Sequence, residues 1–250
     1  MMSLTEANLL EIVKKQYFFK LKAYMGLFST MIAVQALGIL LSLNGVMSSG
    51  TGSGEFSVST KIFAGDIIIA LTMIWAFFVA HNLTTNEYRK TDFMFVTNRL
   101  SSNLSSVGFV LTAAAIGGVT ASLAGVLLRV IVYFTHGSQN IASQYFFILP
   151  QELFLGIIAT TFYIILISAA SYFLGALTQR HKGFTVLLPA LAIGLLFLGA
   201  RGVGNVGVIL GEIAHFFTNE SSLVLFMLKI IGVAIILFYS SILMSNRLEA

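Results

Sequence analysis

Apolar residues run through six stretches of the chain, and polar or glycine-rich segments separate them. A helix that crosses a membrane needs about 20 predominantly apolar residues, because the hydrocarbon core is about 30 Å thick. The pattern therefore predicts an all-α membrane protein with six transmembrane helices. Their predicted ranges are 23–44, 62–80, 107–134, 153–177, 184–200 and 223–244.

The segment before the first span has apolar residues at helical spacing, with charged residues toward the other side. Ser3 and Glu6 have the spacing of a capping box, which marks a helix start. A helix of this kind lies in the membrane interface, so we predict an interfacial helix over 1–22. Its apolar series is Leu9, Leu10, Val13, Tyr17 and Leu21.

Three connecting segments carry local signals. The Gly/Ser-rich stretch 45–60 predicts a flexible loop. The segment 211–217 indicates either a short interfacial helix before the last span or a re-entrant or surface turn. Gly202, Gly204 and Gly207 have the G-x-G-x-x-G spacing of dinucleotide-binding loops. Because this run follows a predicted span and not a strand, it predicts a flexible turn.

Composition supports a chain surrounded by lipid. Hydrophobic residues make up 57% of the 250 residues, charged residues make up 10%, and the mean hydropathy is +0.93. So little polar material cannot cover a soluble globule. We predict a single transmembrane domain over 1–250, in which 1–22 is the interfacial helix, 23–244 the six-span bundle and 81–106 the loop between the second and third spans. The absence of cysteine excludes disulfides and thiolate metal sites.

The distribution of Lys and Arg predicts the orientation, because cytoplasmic loops carry most of these residues. With the N-terminus inside, four of them fall outside or in the outer half: Lys61, Arg129, Arg201 and Lys229. The inner side collects the other ten: Lys14, Lys15, Lys20, Lys22, Arg89, Lys90, Arg99, Arg180, Lys182 and Arg247. We therefore expect a multi-pass protein of the plasma (cytoplasmic) membrane with both termini in the cytoplasm.

The loop 81–106 places aromatic residues beside charges. Thr84 and Glu87 have capping-box spacing, which predicts a short helix here. Exposed aromatic residues indicate either a contact surface for a partner or a segment lying on the membrane interface. The candidate contact residues are Glu87, Tyr88, Arg89, Lys90, Asp92, Phe93, Met94, Phe95 and Arg99.

At this loop the chain resembles the membrane (permease) subunits of type-2 ABC exporters. Members of that family begin with an interfacial elbow helix, cross the membrane six times and carry a coupling helix between spans 2 and 3. Glu87, the apolar run 93–95, Val96, Thr97 and Arg99 are similar to the family's coupling pattern. That pattern usually includes a proline, which is missing here, and Asn98 stands before Arg99.

The resemblance implies a permease subunit that exports a substrate together with separate cytoplasmic ATPase subunits. The ATPases would bind ATP and Mg, and this chain would bind no cofactor, metal or nucleic acid. A second copy or a related permease would complete the transporter among the membrane lipids. The chain has no G-x-x-x-x-G-K-[ST] phosphate-binding pattern, so hydrolysis of ATP is expected in another subunit.

Two further sets of residues within the spans are candidates for function. Gly117, Ala121 and Gly125 recur at every fourth position, which predicts a helix-packing face with a partner in this chain or another. The charges of the second set lie toward the outer half and predict an outer vestibule, unless the side chains extend to the headgroups. This set is Asp66, Arg129, Glu152, Glu212 and Lys229, with Arg201 nearby.

The residues leave alternatives to an exporter subunit. A membrane scaffold or accessory subunit would use the same loop to recruit a cytoplasmic partner, without moving cargo. An ion-coupled carrier needs ionisable residues near the midplane, and we find none at a predicted span centre. An intramembrane enzyme needs an acid, a base and a nucleophile in reach of one another, whereas the four histidines map to loops or span ends. For an exporter, the aromatic-rich spans favour an amphipathic or lipophilic cargo such as a peptide, antibiotic or lipid.

Overall fold

A computed structural model describes residues 9–43, 47–53, 56–62, 64–85, 99–136, 149–180, 183–201, 205–220 and 222–246. The predicted coupling residues other than Arg99 lie outside these ranges. They are Glu87, Tyr88, Arg89, Lys90, Asp92, Phe93, Met94 and Phe95. Arg99 is the first residue of the helix that follows the loop.

Helices account for most of the described chain. They are α1 (Leu9–Ala23), α2 (Met25–Ser42), α3 (Asp66–Thr84), α4 (Arg99–His136), α5 (Pro150–Arg180), α6 (Phe184–Ala200), α7 (Val206–Thr218) and α8 (Leu223–Asn246). Two strands, β1 (Met47–Ser53) and β2 (Phe56–Ile62), lie between α2 and α3. The predicted first helix and first span are therefore separate helices, and they meet at Tyr24.

The prediction of a flexible loop over 45–60 was wrong for its described residues, 47–53 and 56–60. Strands β1 and β2 pair antiparallel, with Met47 opposite Ile62 and Ser53 opposite Phe56. Phe56, Val58 and Ile62 recur with the two-residue period of a strand, a signal that the many glycines and serines of the segment concealed. The predicted second span consequently begins at Asp66, four residues later than expected.

Five helices are long and apolar enough to cross a membrane: Met25–Ser42, Asp66–Thr84, Leu100–Thr135, Pro150–Gln179 and Leu223–Ser245. The prediction of a helical multi-pass membrane protein is confirmed to this extent. The remaining predicted span, 184–200, is helix α6. It has 17 residues and is about 25 Å long, slightly less than the thickness of the hydrocarbon core.

Contacts between helices define their relative directions. Helices α2 and α3 are antiparallel, because Thr30 bonds Trp75 while Gly38 lies against Ile68. Helices α4 and α5 are also antiparallel. In contrast, α5 and α8 run parallel: Tyr163 contacts Phe226, and nine residues further along α5 Tyr172 contacts Phe238. Each of these helices can therefore be followed from one end of the bundle to the other. We call the end where α3 finishes and α4 begins the loop end, and the opposite one, next to β1 and β2, the hairpin end.

Helix α5 lies at the centre and packs against α3, α4 and α8. The buried interior holds Met31, Trp75, Phe109, Ile164 and Tyr172. Large apolar side chains also cover the outside, including Ile32, Phe78 and Ile235, as expected for helices whose outer surface faces lipid.

Polar side chains join α2, α3 and α4 within the bundle. Gln35 of α2 donates from Nε2 to Thr120 Oγ1 of α4 (2.9 Å) and to Thr72 Oγ1 of α3 (3.4 Å). Trp75 Nε1 donates to Thr30 Oγ1 (3.0 Å). Interhelical hydrogen bonds of this type contribute about 0.6 kcal/mol each in a membrane protein, so they mainly fix which residues face each other.

Small residues set the closest approaches between helices. The face of α4 with Gly117, Ala121 and Gly125 lies against α3 and its preceding turn in the same chain, where Gly125 meets Gly65. Among the described glycines, the closest approach to the backbone of another helix is on a neighbouring face of α4. A methyl group added at Gly118 would lie 2.8 Å from the Cα atom of Thr161 on α5, closer than nonbonded carbon atoms approach.

Candidate functional site

At the loop end, a buried lysine joins α1 to the first turns of α4. The Lys20 side chain is 1% exposed, and its Nζ donates to the Ser102 carbonyl oxygen (3.0 Å) and to Ser106 Oγ (2.6 Å). Ser106 Oγ in turn donates to the Ser102 carbonyl (3.0 Å). A lysine is almost never fully buried unless its ammonium group is hydrogen-bonded or paired. This contact therefore fixes α1 against one particular segment of α4.

The same segment of α4 is bonded to α5. The Tyr172 hydroxyl donates to Asn103 Oδ1 (3.1 Å), and both side chains are buried. Helix α3 approaches α5 at this level as well, since Thr84 packs directly against Gly175. We call Lys20, Ser102, Asn103, Ser106 and Tyr172 the polar junction. It connects α1, α4 and α5 immediately after the loop that precedes α4.

The other charges of α1 face outward. Glu11 and Lys15 form an exposed ion pair of 2.8 Å, and Lys14 and Lys22 are exposed. The hydrogen bond and positive charge of Lys15 lower the pKa of Glu11. Helix α1 thus turns Gln16 and Lys20 inward and its exposed phenylalanines, Phe18 and Phe19, away from the bundle.

Sequence reasoning did not single out the polar junction. The serines at 101–106 belong to the predicted loop 81–106, and Lys20 is one of the ten Lys and Arg residues that the sequence places on the inner side. A signal was present in the spacing: Gln16 and Lys20 are four residues apart on α1, as are Ser102 and Ser106 on α4. Side chains four residues apart share a helix face, so each pair marks a polar stripe.

At the hairpin end, a cleft of about 410 Å³ opens between α5 and α8. Its walls are mostly apolar, and its polar groups come from Tyr163, from the end of α7 and from the connection between α7 and α8. The residues that line it are Leu155, Gly156, Ala159 and Tyr163 of α5, Thr218 at the end of α7, Glu220 and Ser222 of the connection, and Leu223 and Phe226 of α8. Volumes of 300–1,000 Å³ with few polar groups are typical of small-molecule sites.

Two side chains hold the C-terminal end of α7 over this cleft. Lys229 Nζ donates to the Phe216 carbonyl oxygen (2.8 Å), and the Tyr163 hydroxyl donates to the Phe217 carbonyl oxygen (2.9 Å). Carbonyls in the last turn of a helix have no partner within the helix, and a cation there also interacts favourably with the helix dipole. Lys229 additionally forms an ion pair with Glu220 and lies 3.9 Å from the centroid of the Phe216 ring.

The predicted vestibule residues all lie in the described part of the chain. Asp66, Glu152 and Glu212 are exposed on α3, α5 and α7, and Arg129 is half-buried on α4. Lys229 pairs with Glu220, which sequence reasoning did not consider. A single vestibule formed by these charges stays a prediction. Within the described ranges, no group of three His, Cys, Asp or Glu side chains is close enough to hold a metal ion.

The Lys229–Glu220 pair leads to a stability prediction. Because both side chains are only 20% exposed, we expect Lys229→Met to lower the free energy of unfolding by about 2 kcal/mol, the value of a hydrogen bond to a charged group. Glu220→Gln should cost less, and the double variant less than the sum of the two, since the residues interact directly. Unfolding in mixed micelles measures these differences. Strictly additive losses would contradict the pairing.

Known proteins provide no assignment for these sites. The chain matches no protein-family model, and no curated protein or solved structure is similar to it.

Proposed function

We propose that this chain is the membrane subunit of an ATP-driven exporter of the type-2 ABC kind. Separate cytoplasmic ATPase subunits would bind ATP and Mg and contact the loop 81–106. A second copy of the chain, or a related permease, would complete the path for an amphipathic or lipophilic cargo. The polar junction is the observation that carries this proposal.

The polar junction gives the loop a mechanical connection to the bundle. The part of this loop between Thr84 and Arg99 leads directly into α4, whose first turns are bonded to α1 through Lys20 and to α5 through Tyr172. A force on the loop would therefore move α4 together with α1 and α5. Packed helices shift as units because close-packed interiors deform little. This is the behaviour that a coupling segment requires.

The parallel arrangement of α5 and α8 supports six crossings. Because both helices run from the hairpin end to the loop end, the chain between them has to return to the hairpin end. Helix α6 is the first described element on this return, and its length of about 25 Å is close to the thickness of a thin bilayer. With α6 as the remaining crossing, both termini and the loop 81–106 lie on one side.

The position of α1 supports an elbow helix in the membrane interface. Leu10 and Phe18 are largely exposed, and so are Lys14, Lys15 and Lys22. Apolar side chains would enter the acyl boundary while the lysines meet anionic headgroups, which are enriched on the cytoplasmic side. The excess of Lys and Arg at the loop end favours the cytoplasm for that end.

Capture of the ATPase tests the proposal. The tagged chain is purified from its native membranes, and the proteins bound to it are identified by mass. We expect an ATPase subunit with Walker motifs that is captured by the unmodified chain and lost with Phe93→Asp or Arg99→Glu. Arg247→Glu is the matched control for Arg99→Glu, since it makes the same charge change on the same predicted side of the membrane. It should retain the ATPase.

Other outcomes identify the alternatives. Normal ATPase capture by both loop variants would contradict the coupling role. Capture of a different cytoplasmic protein, with no ATPase, would indicate a scaffold. Transport that persists after ATP depletion but stops with a protonophore would indicate an ion-coupled carrier.

A further inference from the structure

We propose that the cleft between α5 and α8 binds a single-chain cationic amphiphile. Its alkyl chain would lie along α5 and its positively charged headgroup at the mouth, next to Glu152 and Glu220. A role of this site in export rests on the proposed function, because the bound molecule would then represent a class of cargo. Binding itself requires only this chain.

The apolar wall of the cleft runs along one face of α5. Leu155, Gly156, Ala159 and Tyr163 recur at positions that share one face of α5. A Cβ atom added at Gly156 would meet no atom within 4 Å, so the cleft is open at this residue. Tyr163 and Phe226 both line the cleft, with ring centroids 5.0 Å apart.

The charges at the mouth favour a cation. Glu220 lines the cleft but is balanced by Lys229, so this pair adds no net charge. Glu152 is exposed and precedes Gly156 by four residues, which places it on the same face one turn nearer the end of α5. Glu152 does not line the cleft itself, but its carboxylate adds one negative charge beside it, and the Thr218 and Ser222 hydroxyls provide further polar atoms in the lining. An anionic headgroup would be repelled there.

Equilibrium binding of dodecyltrimethylammonium tests the site. The full chain is placed in phosphatidylcholine nanodiscs, and binding to empty nanodiscs is subtracted. We expect one saturable site. Gly156→Leu places a larger side chain in the lining of the cleft and should weaken binding about tenfold, as expected when the apolar contact of the alkyl chain is lost. Gly232→Leu is the matched control, because position 232 on α8 is equally open but lies outside the cleft, and its affinity should be unchanged.

The headgroup is tested by a second variant and by competition. Glu152→Gln removes an exposed charge without disturbing packing, and it should weaken binding of the cationic probe about fivefold while leaving that of neutral dodecyl maltoside unchanged. Dodecyl sulfate should compete poorly. Equal binding of all three headgroups would overturn the cation preference and indicate a site for ordinary lipid chains. Unchanged binding by Gly156→Leu would overturn the site itself, whatever the outcome of ATPase capture.

Discussion

Lys20→Glu is expected to lower the free energy of unfolding by about 3–5 kcal/mol, the cost of an uncompensated buried charge. The new carboxylate would face the Ser102 carbonyl oxygen, which accepts a hydrogen bond from the ammonium group in the native protein. Two oxygen acceptors would then repel each other in a site closed to water. The measurement is unfolding in mixed micelles, followed by the fluorescence of Trp75, which is buried and is the only tryptophan of the chain.

Lys14→Glu is the control for this substitution. It makes the same charge change on the same helix, but Lys14 is exposed, and surface substitutions usually change stability by less than about 0.5 kcal/mol. Equal stability of the two variants would mean that Lys20 does not lie buried against α4, and the polar junction would no longer support mechanical coupling.

Gly118→Ala is expected to be destabilising by about 1–3 kcal/mol, the usual cost of adding a methyl group to a well-packed site. The new methyl would press on the backbone of Thr161, so α4 and α5 would have to separate. Gly117→Ala is the matched control at the preceding position. The nearest atom to its new methyl group would be 3.5 Å away, which is an ordinary contact. Alanine also has the higher helix propensity.

Thermal unfolding of the two alanine variants in the same detergent makes the comparison. The Gly117 variant should be as stable as the native protein or more stable, and the Gly118 variant should unfold first. The opposite order would mean that another face of α4 packs against α5.

The sequence was sufficient to predict the long helices, because an apolar run of about 20 residues has few other structures available in a membrane. It also predicted that a separate helix precedes the first span. The β-hairpin was missed because glycine and serine dominate its first strand, and such residues are typical of loops.

The polar contacts were harder to predict because each depends on how two distant segments pack. Lys20 and Ser106 are 86 positions apart, and only the packing of α1 on α4 brings them together. For Lys229, several acidic residues were plausible partners, and the choice of Glu220 follows from the path of the chain after α7. Helix α6 is ambiguous from sequence for a different reason: its 17 residues lie at the lower limit for a span.

The side on which each connection lies tests the central claim most directly. The chain has no cysteine, so single cysteines can be introduced as unambiguous reporters at Thr91, Lys182 and Asn205. With six crossings, a membrane-impermeant maleimide should label Asn205→Cys in intact cells, and it should label Thr91→Cys and Lys182→Cys only after the membrane is permeabilised. Labelling of Thr91→Cys in intact cells, or equal protection of Lys182→Cys and Asn205→Cys, would contradict an exporter driven through this loop.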